Sequence, residues 1–255
     1  MSIPRLVAVF AGALLIWLAN GFIATALFGE GYSLPGHVFR AVSTAVLVAA
    51  LLWLVLRRWP LDIGLRPTVA RFRRFGVGGA AYAVPFAIGA AVILGLSLAT
   101  LRVDAAALIP QALAVVALVL LFEAIPEELI FRGVIFGTLR EKFPTWVTII
   151  AQALLFCLFG ALIGAALDVE RQVLFFTFSI ALGVIRAATG SVYATIGFHL
   201  VFQLVTQLTN GPQWTSVQLD DPELWFRDVA FFLAPLVLGQ LVVGLGALAW
   251  RRRRA

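Results

Sequence analysis

The sequence predicts an all-α, polytopic membrane protein: a bundle of about eight transmembrane helices with the N-terminus and the C-terminus in the cytoplasm. Hydrophobic residues make up 62% of the 255 residues and charged residues only 13%, with a mean hydropathy of +1.02. Soluble domains are about 45–50% apolar and about 25% charged. The apolar residues also form long runs, and a water-soluble fold could not bury that much apolar surface.

The eight predicted helices follow from the length of the apolar runs, because a transmembrane helix needs about 20 mostly apolar residues. No backbone group can bond water in the bilayer core, so each run must be helical. No linker divides the chain, which indicates a single integral membrane domain over residues 1–255. The predicted spans are 6–28, 38–56, 77–100, 106–139, 145–167, 173–188, 192–208 and 229–250.

The orientation is predicted from the basic residues, because short cytoplasmic loops carry an excess of Lys and Arg. With the N-terminus inside, the outer side receives only four arginines, Arg40, Arg102, Arg171 and Arg227, and most acidic loop residues. The basic residues then predicted on the inner side are Arg5, Arg57, Arg58, Arg66, Arg71, Arg73, Arg74, Arg140, Lys142, Arg186 and Arg251 to Arg254.

Two loops have recognisable compositions. Segment 57–76 mixes arginines with Trp59, Leu65 and Phe72, which is typical of an amphipathic segment at the anionic cytoplasmic surface. Segment 209–228 carries Trp214 and Trp225, which is typical of a chain crossing the outer membrane interface.

Four charged residues interrupt the fourth predicted span: Glu123, Glu127, Glu128 and Arg132. Ionisable residues at membrane depth cost about 2.5–3.5 kcal/mol each on insertion scales, so they usually face a polar cavity and mark function. Pro126 lies among them, and a proline inside a helix removes a backbone hydrogen bond and kinks the helix. We therefore expect a hydrated pocket beside the carboxylates.

The spacing of these residues predicts different roles. Glu128 and Arg132 are four residues apart, so they can form an ion pair along one helix face. Glu127 lies about 100° around the helix from Glu128, free to face the bundle interior, and is the candidate general base. A purely structural ion network, or the lining of a transport path, remains an alternative reading of the same charges.

The seventh span carries a second polar pair, His199 and Gln203, again four residues apart. Counting the helix rise from the cytoplasmic ends places His199 and Glu127 at similar depth. A histidine facing a carboxylate cluster is a candidate to polarise a substrate carbonyl, although membrane histidines also serve as simple interhelical hydrogen bonders.

Residues 118–204 resemble the CAAX protease and bacteriocin-processing family, also called the ABI or type II CAAX prenyl endopeptidase family. Its first motif, Glu-Glu-x-x-x-Arg, matches Glu127, Glu128 and Arg132. Its third motif, His-x-x-x-Asn or Asp, is half matched by His199 and Gln203. The resemblance implies a family-like catalytic core over about 106–208. It also implies that Glu127 activates a water while His199 and Gln203 stabilise the oxyanion.

The second motif, Phe-x-x-x-His, is where the sequence departs from the family. Phe156 takes the aromatic position, and Gly160 stands where the family has a histidine that helps to hold the water. Gly160 and Gly164 form a small-xxx-small pair, which favours close helix packing. Alternatively Glu123, one turn before Glu127, supplies the missing hydrogen-bond partner.

The resemblance favours an intramembrane endopeptidase, a hydrolase that acts on a peptide or membrane-protein substrate. The competing hypothesis is a catalytically silent family member that binds membrane peptides or proteins. A small-molecule transporter is a third hypothesis, but no inverted repeat supports it.

We expect a multi-pass protein of the bacterial plasma membrane that contacts the lipid bilayer and no nucleic acid. Zinc is suggested only by analogy with the family. A zinc site needs about three protein ligands, and the chain offers one histidine near the carboxylates, so we expect no metal and no other cofactor.

Overall fold

The computed structural model describes residues 2–31, 33–64, 68–211 and 213–252, and the side chains up to residue 246. Leu65 and Arg66 of the expected interfacial segment, and Arg253 and Arg254 of the C-terminal arginine run, lie outside the described residues.

Eight helices in the described part of the chain are long and apolar enough to cross a membrane, which confirms the predicted fold class. All eight helices overlap the predicted spans, but α3 begins at Val69 instead of residue 77, and α5 ends at Leu162 instead of residue 167. The helices are α1 Ile3–Phe28, α2 Leu34–Arg58, α3 Val69–Gly95, α4 Ala105–Arg140, α5 Thr145–Leu162, α6 Val169–Thr189, α7 Val192–Asn210 and α8 Phe226–Gly246.

The N-terminal part of α3 corrects one expectation. Residues from Val69 onward, predicted to lie in an interfacial segment that ends at Gly76, form the first two turns of α3. Thr68 caps this helix, because its side chain accepts a hydrogen bond from the backbone N–H of Arg71. The capping residue thus fixes the start of α3 about two turns before the apolar run.

Helix α4 changes its winding at the charged residues. It is α-helical over Ala105–Val119, π-helical over Leu120–Ala124, α-helical over Ile125–Glu128, π-helical over Leu129–Ile135 and α-helical over Phe136–Arg140. Pro126 occupies the first turn of the central α-helical piece, where a missing N–H costs least. The irregularity expected at this proline is therefore a pair of π-helical segments, which are rare and frequent at functional sites.

The loops after α3 and α7 pair with each other, which the sequence did not predict. Strand β1, Thr100–Val103, runs antiparallel to β2, Val217–Asp220. The third predicted span therefore ended too late, since α3 ends at Gly95. Segment 209–228 is not only an interfacial crossing, because it contributes a strand to this two-stranded sheet.

Helices α3 and α7 approach each other most closely, through glycines. A Cβ added at Gly78 would lie 1.8 Å from the carbonyl oxygen of Ala194, and one at Gly197 would lie 2.1 Å from that of Phe75. Because no side chain fits at these points, the two backbones pack directly. This contact sets the position of α7, which carries His199, within the bundle.

Candidate active site

The predicted ion pair in α4 is formed. Arg132 Nη1 donates to Glu128 Oε1 at 3.0 Å, and both side chains are completely buried. The guanidinium also lies over the ring of Phe156, 4.8 Å from its centroid. A buried charge pair is stable only when further hydrogen bonds satisfy it, so its partners on other helices matter.

Two residues that the sequence reasoning missed extend this pair. Arg132 Nη2 donates to Ser179 Oγ at 2.8 Å, and Ser179 Oγ in turn donates to Gln152 Oε1 at 3.3 Å. The Gln152 amide nitrogen donates back to the Ser179 carbonyl oxygen at 2.9 Å. All three are buried, and the network joins α4, α5 and α6. A polar Gln152 in an otherwise apolar span was the signal that could have revealed it.

His199 lies against Glu128 rather than Glu127. Its Nδ1 is 3.0 Å from Glu128 Oε1, and its ring packs edge-on against Phe178 with centroids 5.0 Å apart. Because Glu128 is paired with Arg132 and acts as an acceptor, we assign the Nδ1 proton to the imidazole. That assignment leaves Nε2 as the nitrogen available for chemistry.

Glu127 faces a cavity of about 650 Å³ whose described lining also includes Glu123, Phe156, His199 and Gln203. Within the described part of the chain, its carboxylate accepts no hydrogen bond. The structure thus brings together four of the sequence-predicted polar residues around one chamber: Glu123, Glu127, His199 and Gln203. Glu128 and Arg132 lie behind it. The cavity volume falls within the range of ligand sites.

Glu123 faces the chamber and is held by Gln203, whose amide nitrogen donates to its carboxylate. The amide expected to stabilise an oxyanion therefore already binds a carboxylate. Arg40, predicted only as an outer-side residue, lines the same chamber with its guanidinium 4.8 Å from the centroid of the Phe122 ring. The signal that could have revealed its involvement was an arginine at the third position of the predicted span 38–56.

The second-motif position is occupied by a neighbouring ring. A Cβ added at Gly160 would lie 2.5 Å from Phe175, which itself stacks on Phe156 with ring centroids 5.1 Å apart. The expected small-xxx-small pair is wrong, because Gly164 lies beyond the end of α5 at Leu162 and has a φ of +78°. Gly160 makes room for Phe175 of α6.

The donor set does not suit a metal. Among the residues that the structure describes, no group of three or more His, Cys, Asp or Glu side chains is placed to hold an ion. Zinc needs about three protein ligands and a water.

The eight helices and the buried carboxylates on α4 define a multi-pass membrane protein with ionisable side chains around an internal chamber. A family model described as "Type II CAAX prenyl endopeptidase Rce1-like" matches residues 109–205. The matched range includes the first-motif residues Glu127, Glu128 and Arg132 and the third-motif residues His199 and Gln203, and it supports the resemblance to the CAAX-protease family. That family is a family of proteases, which are hydrolases. No curated protein was found to match the sequence.

Proposed function

We propose that the protein is an intramembrane endopeptidase that hydrolyses a peptide bond with a water activated by Glu127. One observation carries the proposal: the Glu127 carboxylate faces a chamber of about 650 Å³ without a hydrogen-bond partner among the described residues. A base needs a free carboxylate within reach of its substrate. Of the three acidic side chains on this part of α4, Glu128 and Glu123 are bound by other groups.

In this mechanism a water donates one hydrogen bond to Glu127 and the other to Glu123. Glu127 takes a proton as the water oxygen attacks the peptide carbonyl carbon, and the same proton then passes to the leaving amine. Glu123 thereby takes the place of the family histidine, while Gln203 holds its carboxylate in position. Positioning of this kind lowers the entropy cost of the attack.

His199 supports the developing oxyanion. Its Nδ1 side is fixed by Glu128, which is in turn fixed by Arg132. Because Glu128 binds Nδ1, the hydrogen bond to the oxyanion is donated by Nε2, which carries a proton in the doubly protonated ring. The buried pair Glu128–Arg132 and its partners Ser179 and Gln152 therefore act as positioning residues.

The proposal is tested with the purified protein in lipid vesicles, incubated with a peptide library whose products are identified by mass spectrometry. The variants are Glu127→Gln and His199→Ala, with Glu223→Gln as a control carboxylate on an exposed loop. We expect new peptide ends with the wild type and the control, and a loss of at least about 100-fold with Glu127→Gln, the typical contribution of a general base. Unchanged cleavage by Glu127→Gln would refute the mechanism.

A second candidate function is a catalytically silent protein that binds membrane peptides, and the packing at Gly160 favours it. Phe175 fills the space beside Gly160, so the position where the family has a histidine has become part of an aromatic stack. The test combines Gly160→His with Phe175→Ala, which removes the overlapping ring, and uses Phe175→Ala alone as the control. A wild type without activity, together with Glu127-dependent cleavage by the double variant, would establish that the natural chain is catalytically silent.

A further inference from the structure

Two cavities share one wall inside the bundle. The larger is the chamber of about 650 Å³, and the smaller, of about 250 Å³, lies between α2, the middle of α4 and the loop after α7. Among the described lining residues, four line both cavities, and they are Arg40, Phe122, Glu123 and Gln207. His37 of α2 lines only the smaller one. The shared wall therefore contains one arginine and one carboxylate.

Arg40 is a charged residue inside a span without a directly bound carboxylate. It lies six residues after Leu34, the first residue of α2, which is about 9 Å along the helix. Its Nε is buried and has no hydrogen-bond partner, and no carboxylate among the described residues forms a direct ion pair with its guanidinium. The guanidinium lies instead over the ring of Phe122, 4.8 Å from the centroid. Because an arginine inside a span is costly and usually marks function, this one calls for a role.

The carboxylate that shares the wall with this cation is Glu123. It follows Phe122 in α4, and two cationic groups act on it electrostatically, His199 and Arg40. The charge of His199 depends on the protonation of its ring, and its Nδ1 is already directed to Glu128. Arg40 stays charged at every working pH. It is therefore the permanent cation beside Glu123.

The other charged groups around the chamber do not balance Glu123. Glu127 on the same helix is a second negative group, and Glu128 is paired with Arg132 behind the chamber. Arg171 of α6 lines the chamber but is exposed, so water weakens the effect of its charge. The described chamber-lining residues of α1 and α5 are uncharged.

The two free carboxylates of the chamber need such a cation. Carboxylates that share a poorly solvated site repel each other, and one of them takes up a proton unless a positive charge is close. In the proposed reaction, one water donates its hydrogen bonds to Glu127 and Glu123, so both must be acceptors. A protonated carboxyl carries an O–H donor instead. The arrangement therefore requires a fixed positive charge on the Glu123 side.

From these observations we infer that Arg40 is a positioning residue: its guanidinium is the counter-charge that keeps Glu123 ionised, so that Glu123 can hold the attacking water. The inference rests on the proposed function, since it assigns a further residue to the same site. Arg40 acts through Glu123, across the wall that the two cavities share. The contact with the Phe122 ring holds the guanidinium at this wall.

The charge state of Glu123 is tested by labelling with dicyclohexylcarbodiimide, an apolar reagent that modifies protonated carboxyl groups, followed by peptide mapping with mass spectrometry. The assay is performed on the vesicle-embedded protein and needs no hydrolysis. The variants are Arg40→Met and Arg40→Gln, which remove the charge, and Arg40→Lys, which keeps it. Arg102→Met is the matched control, because it removes an exposed arginine of β1 that is predicted on the same side of the membrane.

Loss of a neighbouring cation favours the neutral form of a carboxyl group. We therefore expect the midpoint of Glu123 labelling in Arg40→Met and Arg40→Gln to move about one pH unit toward alkaline pH, which is a tenfold change in proton affinity. Arg40→Lys and Arg102→Met should reproduce the wild-type curve. The same labelling curve in the wild type and in both charge-removing variants would overturn the inference.

The link to the reaction is tested by the pH dependence of peptide cleavage in the same vesicles. For Arg40→Met, kcat should reach its plateau at a higher pH, displaced by the same interval as the labelling curve, and Arg40→Lys should restore the wild-type profile. An equal loss of cleavage at every pH would show a merely structural role and would also overturn the inference. Absence of Glu127-dependent cleavage in every variant would instead defeat the proposed function, and the labelling curves would still decide whether Arg40 controls the charge of Glu123.

Discussion

Replacing Arg132 by methionine should destabilise the bundle strongly. Both Arg132 and Glu128 have no exposed surface, and Nη1 lies 3.0 Å from the Glu128 carboxylate. Removing one partner of a buried ion pair leaves an uncompensated charge, which costs about 3–5 kcal/mol. The change also leaves Ser179 Oγ without the hydrogen bond from Arg132 Nη2.

This cost should lower the temperature midpoint of unfolding by roughly 6–20 °C, since each kcal/mol shifts the midpoint by about 2–4 °C in a chain of 150–250 residues. The assay is thermal unfolding in detergent micelles, followed by circular dichroism. A double variant, Glu128→Gln with Arg132→Met, buries no unpaired charge and should recover most of the loss. A midpoint for Arg132→Met within 2 °C of the wild type, or equal to that of the double variant, would refute the reasoning.

Two further predictions concern packing and pH. Gly78→Ala should clearly lower the unfolding midpoint, because the added Cβ would lie 1.8 Å from the Ala194 carbonyl oxygen. Gly76→Ala lies on the same helix, but its added Cβ meets no atom within 4 Å, so this control variant should be neutral or stabilising. Equal midpoints for these two variants in the same micelle assay would contradict the close contact of α3 and α7. The hydrogen bond from Arg5 holds the pKa of Glu141 below its ordinary value of 4.5, so this contact stabilises the fold above that pH and is lost as the pH falls below it. Between pH 7 and roughly pH 3.5, the unfolding midpoint of the wild type should therefore fall more than that of Glu141→Gln, and parallel curves would show that Glu141 contributes nothing.

The fold was predictable because its signals are local. Each span is a run of apolar residues, and length alone locates it. The pairing of Glu128 with Arg132 was equally predictable, since residues four apart share a helix face. Helix ends that depend on capping or on pairing between loops were not predictable. Examples are the start of α3 at Val69 and the strand that begins at Thr100, inside the predicted third span.

The contacts between helices were less predictable. The count of helix rise placed His199 and Glu127 at similar depth, but depth does not fix which of two adjacent side chains a residue on another helix contacts. His199 contacts Glu128. The roles of Gln152 and Phe175 depend on how α5 and α6 turn toward each other, and spacing along one helix carries no information about that angle.

The central claim is that Glu127 is a free carboxylate in a hydrated chamber and activates the attacking water. The most direct measurement is the kcat/KM of the vesicle-embedded protein on one cleaved peptide, compared between the wild type, Glu127→Gln and Glu127→Asp. We expect a loss of at least about 100-fold for the amide and partial recovery for the aspartate, whose carboxylate can still accept a proton. Equal activity of the glutamine variant and the wild type would contradict the claim.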